Sequence, residues 1–526
     1  MVKTLQTSWL AGEVSPRIAQ RFDIASYGAS AEKLTNIRPS LEGALIRAPG
    51  SLVLDGLPAG THSRAVRFKL SEEQSYIIVF LDMALRIYDA QTGKPVPIDP
   101  ANESAGFDIE TPYQEISLEH LYWTQQNSIL IITHKSRTIK QRVLTRFNDG
   151  SWSLSEYETV SGPYQPLNFE EDIRIKADKV NTIDENDFIT LTANTPFFDV
   201  GMNDQLIRLF NDNYGFPYDA WGADVELRDF DQVQSDGRVY IANAVNDGEV
   251  RTSRSPPVHE QGTVADRDIQ NNDERIEFTY QHDGAGTLRI IEVQDDFTAR
   301  AVLDPDLGNN LPERVAEGEG TNGFQLGSFS ENNGYPALCG FFQQRLTLMG
   351  TIDQPDTFFM SFSQGFSIEQ ADFTPNRGNG EINDDHAIQR TMADGEINIP
   401  SWMIADDRLV VAMKNRLVII TGPTLDEPIV PAGANARTLQ GVPGSSFICK
   451  GIRADAAICY ASPSGRKLYA LLPDFSYVEL TVLARHIGHH EIVELAWEGE
   501  PYSRLWLRRR NGTLYCLVYE LSLIHI

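Results

Sequence analysis

The chain has 526 residues, 41% of them hydrophobic and 10% aromatic, a composition too apolar for disorder and a length beyond the roughly 250–300 residues at which single cores stop growing. Its 45 Lys and Arg stand against 73 Asp and Glu, a net charge of −28, which repels phosphate backbones and argues against sequence-specific or storage binding of nucleic acid. No apolar run approaches the roughly 20 residues of a membrane-spanning helix, so no membrane anchor is expected.

From Ser8 to Gly50 the sequence carries Trp9, Gly12, Pro16, Arg21, Asp23, Tyr27 and Pro39 with little periodicity, the pattern of an extended strap that docks on something, while composition alone fits an irregular N-terminal arm tucked on its own domain. A basic start leading into an apolar stretch and a small-residue cleavage site is missing here, so no export signal is expected. Short apolar runs then follow one another between turns: Val66–Leu70, Tyr76–Phe80 and Leu85–Tyr88 before Ala90–Gly93, then Leu121–Gln125, Ser128–Thr133 and Arg142–Phe147, with Asn148-Asp149-Gly150 turning into Trp152. Strands of this length, joined by hairpin turns at near-regular spacing, indicate a sandwich, barrel or propeller.

Between Asn168 and Glu319 the character changes to acidic clusters, among them Glu170-Glu171-Asp172 and Asp184-Glu185-Asn186-Asp187, around strands such as Arg238–Ala242 and Thr287–Val293. One or two β modules inserted into a propeller fit this change. The earlier cadence returns in Leu409–Met413, Arg416–Ile420, Ala456–Tyr460, Lys467–Leu471 and Leu505–Arg508, followed by the hairpin signal Asn511-Gly512. Strand groups recurring without exact repetition favour propeller blades, and no long helical period appears. The expected fold is therefore all-β: a β-propeller-like core with inserted β domains and an extended N-terminal arm.

Four cysteines, Cys339, Cys449, Cys459 and Cys516, stand far apart in apolar surroundings, which points to buried reduced thiols rather than a zinc site or disulfide framework. Asp384-Asp385 and Asp406-Asp407 read as solvated turns, because adjacent carboxylates on a strand point to opposite faces and cannot form a facing acid–base pair. His486, His489, His490 and Glu491 lack metal-ligand spacing and read as a turn packing a blade or interface. Asp304–Asn310 lacks the full calcium-loop pattern, and Arg508-Arg509-Arg510 reads as a solvated turn. Phosphate-loop, dinucleotide and nucleophile-elbow motifs are missing. No catalytic, cofactor-binding or metal-ligating residue is expected, and no enzymatic activity.

Leu10–Pro16 with Arg21, Asp23 and Tyr27, then Gly334-Tyr335-Pro336 followed by Phe341-Phe342-Gln343-Gln344-Arg345-Leu346 and Gly350-Thr351, with Pro355 and Ser361, resemble a tail tube or nozzle protein family of short-tailed bacteriophages and prophages. Further matches, from Pro257 and His259 through Tyr280, His282, Trp402 and His486 to Asn511-Gly512, spread the likeness over nearly the whole chain. The resemblance implies a structural virion protein, assembled in the bacterial cytoplasm, that forms a ring of six copies below the portal and adaptor ring. In that role it continues the DNA channel and lets the genome pass without specific binding, with tail fibres or spikes as further partners. Trp9, Arg21, Asp23, Tyr27, Tyr335 and Arg345 are the candidate interface residues, and the aromatic ones among them serve equally well as core. The expected organisation is a docking strap over 1–60, first blades over 61–165, inserted acidic modules over 166–330 and remaining blades over 331–520. Residues 521–526 back-translate to a sequencing-adapter end, so the natural chain is expected to continue past Glu520. The alternative role is a carbohydrate-binding or carbohydrate-degrading propeller of the tail, since propellers serve glycan recognition and hydrolysis alike.

Overall fold

The computed structural model describes residues 6–519 except 41, 49, 51, 52, 54–61, 103, 105, 169, 171, 183–186, 211–218, 229, 236, 237, 245–249, 253, 254, 260, 261, 267–275, 283, 304–309, 364–370, 375–382, 393–397, 425, 426 and 501. The segment 521–526 and most of the calcium-like turn at 304–310 therefore lie outside the described residues.

The fold is all-β, with a β-propeller-like core. Six antiparallel meanders succeed one another, and each serves as a blade. The first is built from Arg64–Lys69, Ser75–Leu81, Ala84–Asp89 and Asp108–Glu110, and the second from Leu121–Gln126, Ile129–His134, Arg142–Arg146 and Trp152–Glu156. The third blade begins at Leu338–Phe342, the fourth at Pro400–Ala405 and the fifth at Ile452–Ala454, each with four strands. The sixth has three described strands, Ile492–Glu498, Arg504–Arg509 and Leu514–Val518. Inner strands such as Ile129–His134, Leu409–Met413 and Leu468–Leu471 are buried along their whole length, because both faces are covered by neighbouring blades; hence their continuous apolar runs. Outermost strands are short and polar, as in Asp108–Glu110 and Asn435–Thr438, which suits an edge that must not pair with other chains.

The cores follow this arrangement. Blades one and two share one cluster around Phe68, Phe80, Leu130 and Trp152; blades two, three and four meet in the largest, around Phe358, Phe359, Trp402 and Leu417; blades five and six share a third. Gly340 lets the third blade approach the fourth, since a Cβ there would lie 2.7 Å from Met403 Sδ.

Between the second and third blades the chain forms a six-stranded sheet in the spatial order 175–177, 189–193, 298–303, 285–295, 206–210, 324–326. It packs its own core around Ile189, Leu191, Leu209 and Leu288. A five-stranded sheet with a separate core around Tyr240 and Phe278 is threaded between Leu206–Phe210 and Ala285–Asp295, so one β module sits inside another. The single α-helix among the described residues is the turn Glu313–Ala316.

The arm has little structure of its own: a two-residue parallel pairing of Gly12–Glu13 with Ser30–Ala31, and the hairpin Ile37–Pro39 with Leu45–Arg47. It lies against the sixth blade. Ser15 N–H donates to the Leu483 carbonyl at 2.8 Å, and the Arg38 guanidinium stacks 4.3 Å from the Tyr502 ring centroid.

Candidate functional site

Three regions combine exposed or charged chemistry with a defined place in the fold: the arm, the hairpin of the third blade, and the centre of the blade ring.

In the arm, Glu13 is the pivot. One carboxylate oxygen accepts from Leu34 N–H at 2.9 Å, and the other sits 3.0 Å from His486 Nε2. The arm is held beside the histidine turn of Arg485–His489 by the bond from Ser15 N–H to the Leu483 carbonyl. Beyond Pro16 the arm departs from the blade. Arg21 and Asp23 form a two-pronged ion pair at 2.7 and 2.6 Å, and this exposed pair draws the Asp23 carboxyl below its usual range. Tyr27 OH accepts from Gln20 N–H at 2.8 Å, and the Tyr27 ring meets Phe22 edge-on at 5.3 Å. Phe22 itself is 82% exposed, and Ile37, Leu45, Ile46 and Val53 are exposed as well. Trp9 is half-buried, its N–H donating to the Gly43 carbonyl. Of the six residues singled out by sequence, Trp9, Arg21, Asp23 and Tyr27 thus lie together on the arm. The exposed apolar residues among them carried no sequence signal beyond their lack of period.

The other two, Tyr335 and Arg345, are buried within the chain. Phe342 and Arg345 face each other across a two-residue turn in which Gln343 and Gln344 both have positive φ, 46° and 62°. Gln343 Oε1 accepts from Ile429 N–H at 2.7 Å and so ties this turn to the fourth blade. Arg345 is 2% exposed and donates to the carbonyls of Ser361 (2.8 Å), Asp384 (2.6 Å), Asp385 (3.2 Å) and His386 (2.6 Å). Tyr335 is buried too, its N–H bound to the Arg137 carbonyl. In this stretch a guanidinium fork gathers four backbone carbonyls of the third blade, of which that of Asp385 also accepts from Ser363 N–H at 3.0 Å.

The charged clusters are likewise committed. Lys140 contacts Glu156 at 3.1 Å, Glu158 at 3.3 Å and Asp204, while Arg289 reaches Glu158 and Asp204. The three carboxylates lie close enough to hold a cation, but a lysine already takes that place, and the network fastens the second blade to the six-stranded insert. Asp384 and Asp385 form a turn whose carbonyls serve Arg345, and Asp406 pairs with Arg453. Contrary to expectation, Arg508-Arg509-Arg510 is no solvated turn. Arg508 pairs with Glu494, Arg510 with Glu491 and Glu119, and Arg509 is buried over Tyr515.

At the ring's centre, contacts join blades that are not neighbours. Tyr122 of the second blade donates its hydroxyl proton to the Met403 carbonyl of the fourth at 2.7 Å and accepts from Met403 N–H at 3.0 Å. Lys135, after the second blade's second strand, donates to the Phe447 carbonyl ahead of the fifth. Lys450 returns the bond to Trp123 O at 3.2 Å. Side chains therefore link the second blade directly to the fourth and to the segment ahead of the fifth.

With this geometry in hand, the chain is placed in the β-propeller class. No protein-family model matches it, and no curated protein does. Similar solved structures include a catalytically inactive virginiamycin B lyase from Staphylococcus aureus with quinupristin: 11% identity, 76% of this chain and 95% of that one covered, TM-score 0.22. A streptogramin B lyase has 8% identity, coverage of 76% and 94%, and TM-score 0.24. The WD40 domain of SCAP from fission yeast has 8% identity, coverage of 89% and 90%, and TM-score 0.24. The expectation of no enzymatic activity is corrected at this point: two of these similar structures are lyases. At such identities the likeness concerns fold alone and assigns no activity.

Proposed function

We propose that this chain is a structural subunit of the tail tube or nozzle of a short-tailed bacteriophage, assembling with copies of itself into a ring below the adaptor. The observation that carries this reading is the arm. It is held at Ser15 beside the sixth blade, yet presents Phe22, Ile37, Leu45, Ile46 and Val53 to solvent. Five of the exposed large apolar side chains fall on this one arm, which suits an element made for a partner, and the edge-on contact of Phe22 with Tyr27 beside the Arg21–Asp23 fork lowers the entropy lost on docking. The motifs shared with the tail-protein family support the same reading. So does the charge of −28, since a wall of like charge lets a duplex pass without the drag of phosphate contacts. With side chains linking the second blade to the fourth inside each propeller, the DNA channel of this proposal runs between subunits.

The test is the assembly state of the full-length protein, by light scattering after size exclusion and by negative-stain electron microscopy, for wild type and for Phe22→Asp with Ile46→Asp. Rings with a central channel in wild type, lost in the double variant while circular dichroism is unchanged, support the proposal. Wild-type and variant proteins that behave alike refute the arm as the docking element.

A further inference from the structure

Arg64, Lys135 and Lys450 converge at the centre of the blade ring, and none of them is paired with a carboxylate among the described residues. Lys135 is 3% exposed, and beyond its bond to the Phe447 carbonyl its ammonium faces rings: Tyr122 at 5.6 Å and Phe447 at 5.1 Å. Lys450 lies 4.3 Å from the Tyr122 ring and 4.9 Å from Trp123. Arg64 lies 5.0 Å over Trp123, donates through Nη1 to the Glu119 carbonyl at 2.9 Å, and has a buried Nε with no hydrogen-bond partner. The carboxylates within electrostatic reach of Arg64 are spent elsewhere, Glu119 on Arg510 and Glu494 on Arg508. His120, His134, Cys339 and Cys449 complete the titratable surroundings.

Aromatic faces attract cations but do not neutralise them, and three like charges in a water-poor centre repel one another. Burial and this repulsion push the Lys135 ammonium far below its ordinary range and bring Lys450 down to about 8. An anion seated among these groups favours the protonated form of both amines beside the guanidinium, so one point gathers what an anion's surroundings require. We propose that Arg64, Lys135 and Lys450 form a binding site for a small oxyanion of the phosphate class, entered from the side where Arg64 and Lys450 keep partial exposure. Both ammonium groups and the Arg64 Nε–H hold donors beyond those spent on carbonyls, which matches an acceptor with oxygens pointing several ways. A duplex is the wrong ligand, because Lys135 is out of its reach.

The test uses the full-length protein at pH 7 with sodium phosphate against sodium chloride of equal ionic strength. About 10 mM phosphate is expected to raise the thermal unfolding midpoint by about 2 °C beyond chloride and to broaden the phosphorus NMR line of free phosphate. Arg64→Met and Lys450→Met are expected to weaken phosphate binding about tenfold or more. Equal effects of phosphate and chloride with an unbroadened line would overturn the site, and the NMR measurement decides this even where a variant fails to fold. An undiminished phosphate response in both folded variants would overturn it as well, as would a response to short duplex DNA and none to phosphate.

Discussion

Replacing Arg345 with Met removes the fork that gathers four carbonyls of the third blade while keeping the length and apolar stem of the side chain. Two of those carbonyls belong to Asp384 and Asp385, which lie in a solvent-accessible turn and recruit water when the guanidinium leaves. The other two, on Ser361 and His386, are buried and lose a charge-assisted partner at 2.8 and 2.6 Å. An unsatisfied buried acceptor costs about 1–3 kcal/mol, and release of a buried charge offsets part of that, so the net loss comes to about 3 kcal/mol. Arg345→Lys keeps the charge but not the planar fork and is expected to lose about half as much. Urea unfolding followed by circular dichroism measures both. A loss under about 0.5 kcal/mol for Arg345→Met, or Arg345→Lys as stable as wild type, would refute the carbonyl-gathering role.

Gln344 is exposed with φ of 62°, so Gln344→Gly is expected to stabilise by about 0.5–1 kcal/mol in the same assay. Burial pushes the thiols of Cys339, Cys449 and Cys459 up to about 12, and native protein at pH 8 is expected to resist alkylation there, with half-buried Cys516 reacting first in a mass-spectrometric time course. His134 and His282, held neutral by burial, titrate at about 4 in the folded chain against an ordinary value near 6.5. The unfolded chain thus takes up protons first as pH falls, and stability is expected to decline between about 6.5 and 4. His134→Gln should flatten that decline in urea midpoints measured across pH.

Much of the blade pattern was legible because inner strands announce themselves. Tyr76–Leu81 and Leu409–Met413 are apolar throughout, the signature of strands in a packed sheet. The outermost strands escaped notice for the opposite reason: Asp108–Glu110 and Tyr477–Glu479 are exposed, short and without period. Hairpins show how local signals mislead. Asn511-Gly512 has the dipeptide of a two-residue turn, yet only Gly512 has positive φ, and Arg509 N–H bonds to the Thr513 carbonyl, a longer loop. Gln343-Gln344 has no turn signal and makes the tight turn, because Phe342 and the carbonyl bonds of Arg345 fix the register from outside it. The same tertiary demand accounts for Arg345, whose buried fork serves the fold of its own blade. The central cations were invisible, since Arg64, Lys135 and Lys450 are far apart in sequence and meet only when blades that are not neighbours come together.

The central claim, that this chain is a ring-forming wall of a phage tail, is tested most directly by cryo-electron microscopy of intact particles produced by the genome that encodes it. The expected density is a ring below the adaptor into which six-bladed subunits fit, each arm lying on the neighbouring subunit with Phe22 covered. Particles whose tail lacks this polypeptide, or a ring in which the arm contacts only its own blades, would contradict it.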